Sequence, residues 1–145
     1  MNELLVISIS AVGALVTYYL HINNKLDVIL ASALPTLVFT LLCKIAGIIF
    51  SSMILEILAL VFFGATFVGM SNKVRLGRYH VIALAGVLYG LIYLSLSEAF
   101  AGYGGRLGIT AAVAVLISIS INSLLQLLIK RKALFYPSTS SYKNN

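Results

Sequence analysis

The stretch ITAAVAVLISISINSLLQLLI, Ile109 to Ile129, runs without a charge and is closed by Lys130, Arg131 and Lys132. A helix needs about 20 apolar residues to cross the hydrocarbon of a bilayer, and a basic cluster at the end of such a run marks a cytoplasmic boundary. This stretch therefore reads as a transmembrane helix. It also carries Thr110, Ala114, Ser118, Asn122 and Gln126 at a spacing of four, so one ridge of the helix is small or polar from end to end. Carboxamides turned toward lipid would be left unsatisfied at a cost of several kcal/mol. The ridge Thr110, Ser118, Asn122 and Gln126 is therefore expected to face protein or water.

The rest of the chain has the same solvent. Of 145 residues, 61% are hydrophobic and 10% charged, against about 25% charged in a soluble domain. Four more apolar blocks precede the one quoted, which gives spans at about 4–22, 28–46, 53–70, 79–97 and 109–129. The fold expected is an all-α integral membrane protein, a compact bundle of five transmembrane helices covering residues 1–132, with a disordered cytoplasmic tail at 133–145. The acid at Glu3, where a secretory signal would be basic, makes the first block a retained span.

Orientation follows from the basic residues. With the C-terminus inside, Lys25, Lys73, Arg75, Arg78, Lys130, Arg131, Lys132 and Lys143 are cytoplasmic, and Lys44 and Arg106 are outside. The positive-inside rule then gives N-outside, C-inside, in a bacterial plasma (inner) membrane. The net charge of +6 is assigned to topology and lipid headgroups, so the lipid bilayer is the expected partner and nucleic acid is not.

Small residues mark where helices meet. Ser10, Ala14, Thr17 and His21 share one face of span one, Ala65 and Gly69 form a small-xxx-small pair in span three, and Gly86 and Gly90 form a GxxxG in span four. The partner of the GxxxG face is either another helix of the chain or another protomer. Pro35 in span two removes a backbone donor, so a kink is expected there, with Thr36 or a neighbouring helix satisfying the freed carbonyl. Gly47 to Ser52 reads as an apolar turn at the interface.

Between spans four and five lies Gly102-Tyr103-Gly104-Gly105-Arg106-Leu107-Gly108. Two readings are open for it. Consecutive glycines with Arg106 and the start of span five could present donors to an anion or a headgroup; or the glycines merely let spans four and five pack closely, with Arg106 paired to Glu98. The candidate outer-face site is Glu98, Tyr103, Gly104, Gly105 and Arg106. On the same face, Lys44 and Glu56 are an expected ion pair across the hairpin of spans two and three.

Catalytic chemistry has no support here. No acid, lysine or arginine lies near the middle of a span, where proton-coupled carriers and voltage sensors keep one. His21, His80 and Asp27 have no metal-ligand spacing, and the single cysteine, Cys43, is expected to be a packing residue. Neither an enzyme nor a cofactor nor a metal is expected. The function expected is an accessory or structural subunit of a membrane assembly, through self-association or another membrane protein; the alternative is a homo-oligomeric channel or facilitative transporter for a small solute or ion, with the ridge lining its path.

Overall fold

The computed structural model describes residues 3–50, 53–71, 78–96 and 105–135, and these contain five helices and no strand. They are α1 (Glu3–Asn23), α2 (Val28–Phe50), α3 (Met53–Gly69), α4 (Tyr79–Ser95) and α5 (Arg106–Phe135). Three segments are long and apolar enough to cross a membrane: Glu3–Asn23, Val28–Gly47 and Arg106–Arg131. Ile54–Gly69 and Tyr79–Ser95 are shorter apolar helices.

Helix α1 is the centre of the bundle. It packs along α4 and α3; α2 lies outside against α3 and α1, and α5 lies outside against α4 and α3. Small residues make this possible, because close approach of backbones is the main source of helix adhesion where no water is available to be expelled. Ser10, Ala14 and Thr17 of α1 are fully buried. Added to Gly86, a Cβ would stand 2.9 Å from Ala11 Cα and 3.1 Å from the Ser10 carbonyl; added to Gly90, it would stand 3.0 Å from Ile7 Cα. The glycine face of α4 is thus spent on α1 within the chain. The same holds for α3: Gly69 lies against the Ala14 carbonyl and Thr17, and Gly13 of α1 faces the Phe62 carbonyl and Ala65.

The contacts also give the direction of each helix. Residue numbers rise together along α1 and α3, and run oppositely along α1 and α4. Helices α4 and α5 are antiparallel too, with Arg106 over Tyr93 at one end and Ser118 bonded to Val81 at the other. Phe39 stacks on Phe62, with centroids 4.3 Å apart, and Gly47 faces Leu55, which makes α2 antiparallel to α3. The helices alternate up and down. One end of the bundle collects Glu3, Ser95 and Arg106, and the other collects Asn23, Val28, Gly69 and Tyr79.

Connections are short where they are described. Asp27 occupies the position before α2, its carbonyl accepting from Ala31 N at 2.8 Å. Lys25 takes a left-handed φ of 51°, and His21 donates from Nδ1 to the Leu26 carbonyl at 3.0 Å, tying the end of α1 to the turn. Tyr79 donates to Asn23 Oδ1 at 3.1 Å, which joins the ends of α1 and α4.

Several boundaries differ from expectation. Helix α2 continues through Gly47 to Phe50 instead of turning there, because Ile48, Ile49 and Phe50 extend its apolar run. Helicity is kept across Pro35, which a kink at that residue also allows. The Thr36 hydroxyl donates to the Ser32 carbonyl at 2.7 Å, whereas the carbonyl that Pro35 leaves without its amide is that of Ala31. Helix α5 begins three residues early and ends at Phe135: Ala133 and Leu134 are strong helix formers, and Pro137 disfavours helix at the residue before it.

Candidate functional site

The polar ridge of α5 divides into two halves of different character. Thr110, Ala114 and Ser118 are buried. Thr110 turns its hydroxyl back to the Arg106 carbonyl at 2.7 Å. Ser118 donates across the helix boundary to the Val81 carbonyl at 2.9 Å. Among the described residues, the other bonded serine and threonine hydroxyls stay on their own helix, as those of Ser10, Ser32 and Thr66 do. Asn122 is half-buried and Gln126 is exposed. A ridge of spacing four turns by about 40° at every step of a 3.6-residue helix, so a face that meets α4 at Ser118 has rotated away from it by Gln126.

Helix α4 also stops there. Val81 is only two residues inside its start, so α5 passes the end of the bundle soon after Ser118. Leu124, Leu125, Leu127, Leu128 and Ile129 beyond that point are 52–68% exposed. Lys130 and Arg131 follow and are exposed. The lower half of α5 is therefore a helix without neighbours among the described residues.

At the opposite end, Arg106 is not a loop residue. It opens α5, with Leu107 and Gly108 in the same first turn, and the Gly105 carbonyl accepts from Ile109 N at 3.0 Å. Its guanidinium sits 4.8 Å from the ring centroid of Tyr93, a cation–π contact with the face of the ring. Tyr93 in turn lies 6.1 Å from Tyr89. The Tyr89 hydroxyl is fully buried in the notch that Gly64 leaves in α3, and it has no hydrogen-bond partner among the described residues. Thr17 Oγ1 is the other such atom; it lies at the second α3 notch, Gly69. Glu98, Tyr103 and Gly104 of the outer-face candidate lie outside the described residues, and Gly105 is exposed.

Lys44 and Glu56 are both exposed, on either side of the connection between α2 and α3. Cys43 is buried. His80 and Asp27 are exposed at the other end, and among the described residues no three His, Cys, Asp or Glu side chains come together as metal ligands would.

The arrangement that sequence reasoning missed is the row Tyr89, Tyr93 and Arg106, which locks the top of α5 to α4. Its only signal was a pair of tyrosines four apart beside a GxxxG. The join of Tyr79 to Asn23 was likewise unread. No protein-family model, curated protein or solved structure matches this chain, so the functional reading rests on this geometry.

Proposed function

We propose that this chain is a non-catalytic accessory or structural subunit of a membrane assembly, spanning a bacterial plasma membrane five times with its N-terminus outside. The alternation of the helices supports the topology. It gathers Lys25, Arg78, Lys130 and Arg131 at one end and leaves Lys44 and Arg106 at the other, as the positive-inside rule requires. Helices α3 and α4 have 17 residues each, which is at the short limit for a span.

The observation that carries the functional reading is the Ser118–Val81 bond. The residues that would line a path through one protomer are instead consumed in helix contacts: Ser118 on α4, and Gly86 and Gly90 on α1. No charged residue is among the buried ones described. What remains for association is the lower half of α5 and the outer face of α2, where Ile29, Leu37, Leu41 and Leu42 are 56–77% exposed. Purification from native membranes with mass determination tests this: a distinct copurifying membrane protein, lost when α5 is cut after Ser118, is the expected result, and a chain recovered alone overturns it.

A second reading, the homo-oligomeric channel or facilitative transporter, draws on Asn122, half-buried, and Gln126, exposed, among the described residues. Under it, liposomes holding the protein pass small solutes and Asn122→Leu abolishes the flux. Under the first reading those liposomes stay tight.

A further inference from the structure

The exposed surface of α5 changes character partway down. Between Ile109 and Ser118 the exposed residues are Ile109, Ala112, Val113, Leu116 and Ile117, all apolar, as suits a face against lipid. Below Ser118, the exposed residues include Ser120, Ser123, Gln126 and Lys130. At about 100° per residue, Asn122, Ser123, Gln126 and Lys130 fall within one sector of about 100°. Leu127, Leu124, Leu128, Leu125 and Ile129 fill an opposing arc of about 200°, and these five are 52–68% exposed. The lower half of α5 is thus an amphipathic helix, whereas the upper half is not.

The neighbouring helices place the membrane boundary at the same height. On the exposed face of α4, His80 and Ser95 stand about 23 Å apart at 1.5 Å per residue, and the 17 residues of α3 rise about 26 Å. A bilayer adjusts its thickness to such helices at small cost per ångström. Measured down α5 from Arg106, a layer of about 23–26 Å ends between Ile121 and Ser123, where the polar sector begins. Lys130 is then about 10–14 Å beyond the boundary, past a headgroup layer about 5–8 Å deep.

We infer that the lower half of α5 is a docking helix at the cytoplasmic surface of the membrane, seated in an apolar groove with an acidic rim on the cytoplasmic part of a partner protein. The inference rests on the membrane placement and the accessory role proposed above and names the kind of partner. Neither lipid nor water covers this helix. Acyl chains would leave the Gln126 carboxamide and the Ser123 hydroxyl in hydrocarbon, and water would leave the five apolar side chains uncovered. An amphipathic helix resolves that conflict in an isolated chain by lying in the headgroup layer. Helix α5 is instead one continuous helix, tied to α4 by Arg106 on Tyr93 and Ser118 on Val81, so its lower half leaves the bundle in line with the upper half. A groove that takes the apolar arc and leaves the polar sector at its edge fits both surfaces, as in helix-in-groove recognition. Charge complementarity sets the rim: Lys130 and Arg131 end the arc, and both are exposed, so carboxylates on the partner match them. On the outer face of α2, by contrast, every exposed residue from Ile29 to Leu42 is apolar, and lipid alone covers it.

The test labels single thiols in the full-length protein with a membrane-impermeant maleimide. Leu116→Cys and Leu128→Cys are each made in a Cys43→Ser background and compared in inverted vesicles of the native membrane and in liposomes of the lipid extracted from it. In the liposomes Leu128→Cys is expected to label at least about tenfold faster than Leu116→Cys, because a thiol reacts as its thiolate, which hydrocarbon suppresses. In the native vesicles labelling of Leu128→Cys falls at least about fivefold, and adding Lys130→Gln with Arg131→Gln returns it to within about twofold of the liposome rate, as loss of matched rim charges requires. Lys44→Gln, at the other end, returns nothing. Labelling of Leu128→Cys as slow as that of Leu116→Cys in the liposomes means that lipid covers the helix, and overturns the inference. So does suppression that survives loss of both charges, or that disappears when residues 136–145 are deleted, which would make the chain's own end the occupant. A distinct protein that copurifies while Leu128→Cys labels equally in both preparations overturns this seat and leaves the accessory role standing. Fast labelling of Leu116→Cys in the liposomes overturns the membrane placement itself, and this seat with it.

Discussion

Replacing Gly86 by alanine tests whether α4 is held to α1 by backbone proximity. The added Cβ would meet Ala11 Cα at 2.9 Å, and the Ala14 Cβ and the Ser10 carbonyl at 3.1 Å, where ordinary contact begins at 3.4 Å. None of these atoms sits on a flexible side chain, so relief requires the two helices to part by about half an ångström, which forfeits about a quarter of each dispersion well along the seam. Overpacking of this kind costs about 1–3 kcal/mol, and the higher helix propensity of alanine returns up to about 1 kcal/mol. The net expectation is a loss of about 1–2 kcal/mol in equilibrium unfolding from detergent micelles. Gly108→Ala is the control. Gly108 has nothing within 4 Å of the added Cβ, so only the propensity term acts and stability rises by about 0.5–1 kcal/mol. Equal responses of Gly86→Ala and Gly108→Ala would refute the close α1–α4 seam, as would a Gly86→Ala chain that keeps its stability and loses only an oligomer.

Three further outcomes are expected in the same assay. Ser118→Ala removes the interhelical bond to Val81 and lowers stability by about 0.6 kcal/mol, the usual worth of such a bond in a membrane bundle; Ser120→Ala, whose hydroxyl turns to Leu116 of its own helix, changes nothing measurable. Tyr89→Phe deletes a buried hydroxyl without a partner and raises the unfolding free energy by about 1 kcal/mol, so a loss on this change would mean that the hydroxyl is bonded. Lys25→Gly relieves the left-handed φ of 51° and stabilises by about 1 kcal/mol, whereas Lys25→Val, β-branched at the same position, destabilises.

Much of the fold was legible because each apolar run is interrupted by residues that do not tolerate lipid: Asn23, Asn24 and Lys25 after the first, Lys73 to Arg78 before the fourth. Boundaries failed where a glycine was read as a break although the helix continues through it, as at Gly47 before Ile48 to Phe50 and at Arg106 to Gly108. The partner of the GxxxG was not legible, since a glycine face says that something comes close and not what. It proved to be Ile7, Ser10 and Ala11 of α1. The polar ridge was read as one surface because its spacing is regular. Its slow rotation about the helix and the early end of α4 divide it, and both depend on where a neighbour stops. The tie of Arg106 to Tyr93 was hidden for the same reason: it needs the register of two helices, which no single run of sequence specifies.

The central position of α1 bears on how the molecule assembles. A ribosome delivers this helix first, yet the surfaces it fits belong to α3 and α4, more than 40 residues later in the chain. Until those arrive, Ser10, Gly13, Ala14 and Thr17 present to lipid a face that gains little from it, with α2 covering only one side. On the membrane placement proposed above, later helices would have to close around this early one.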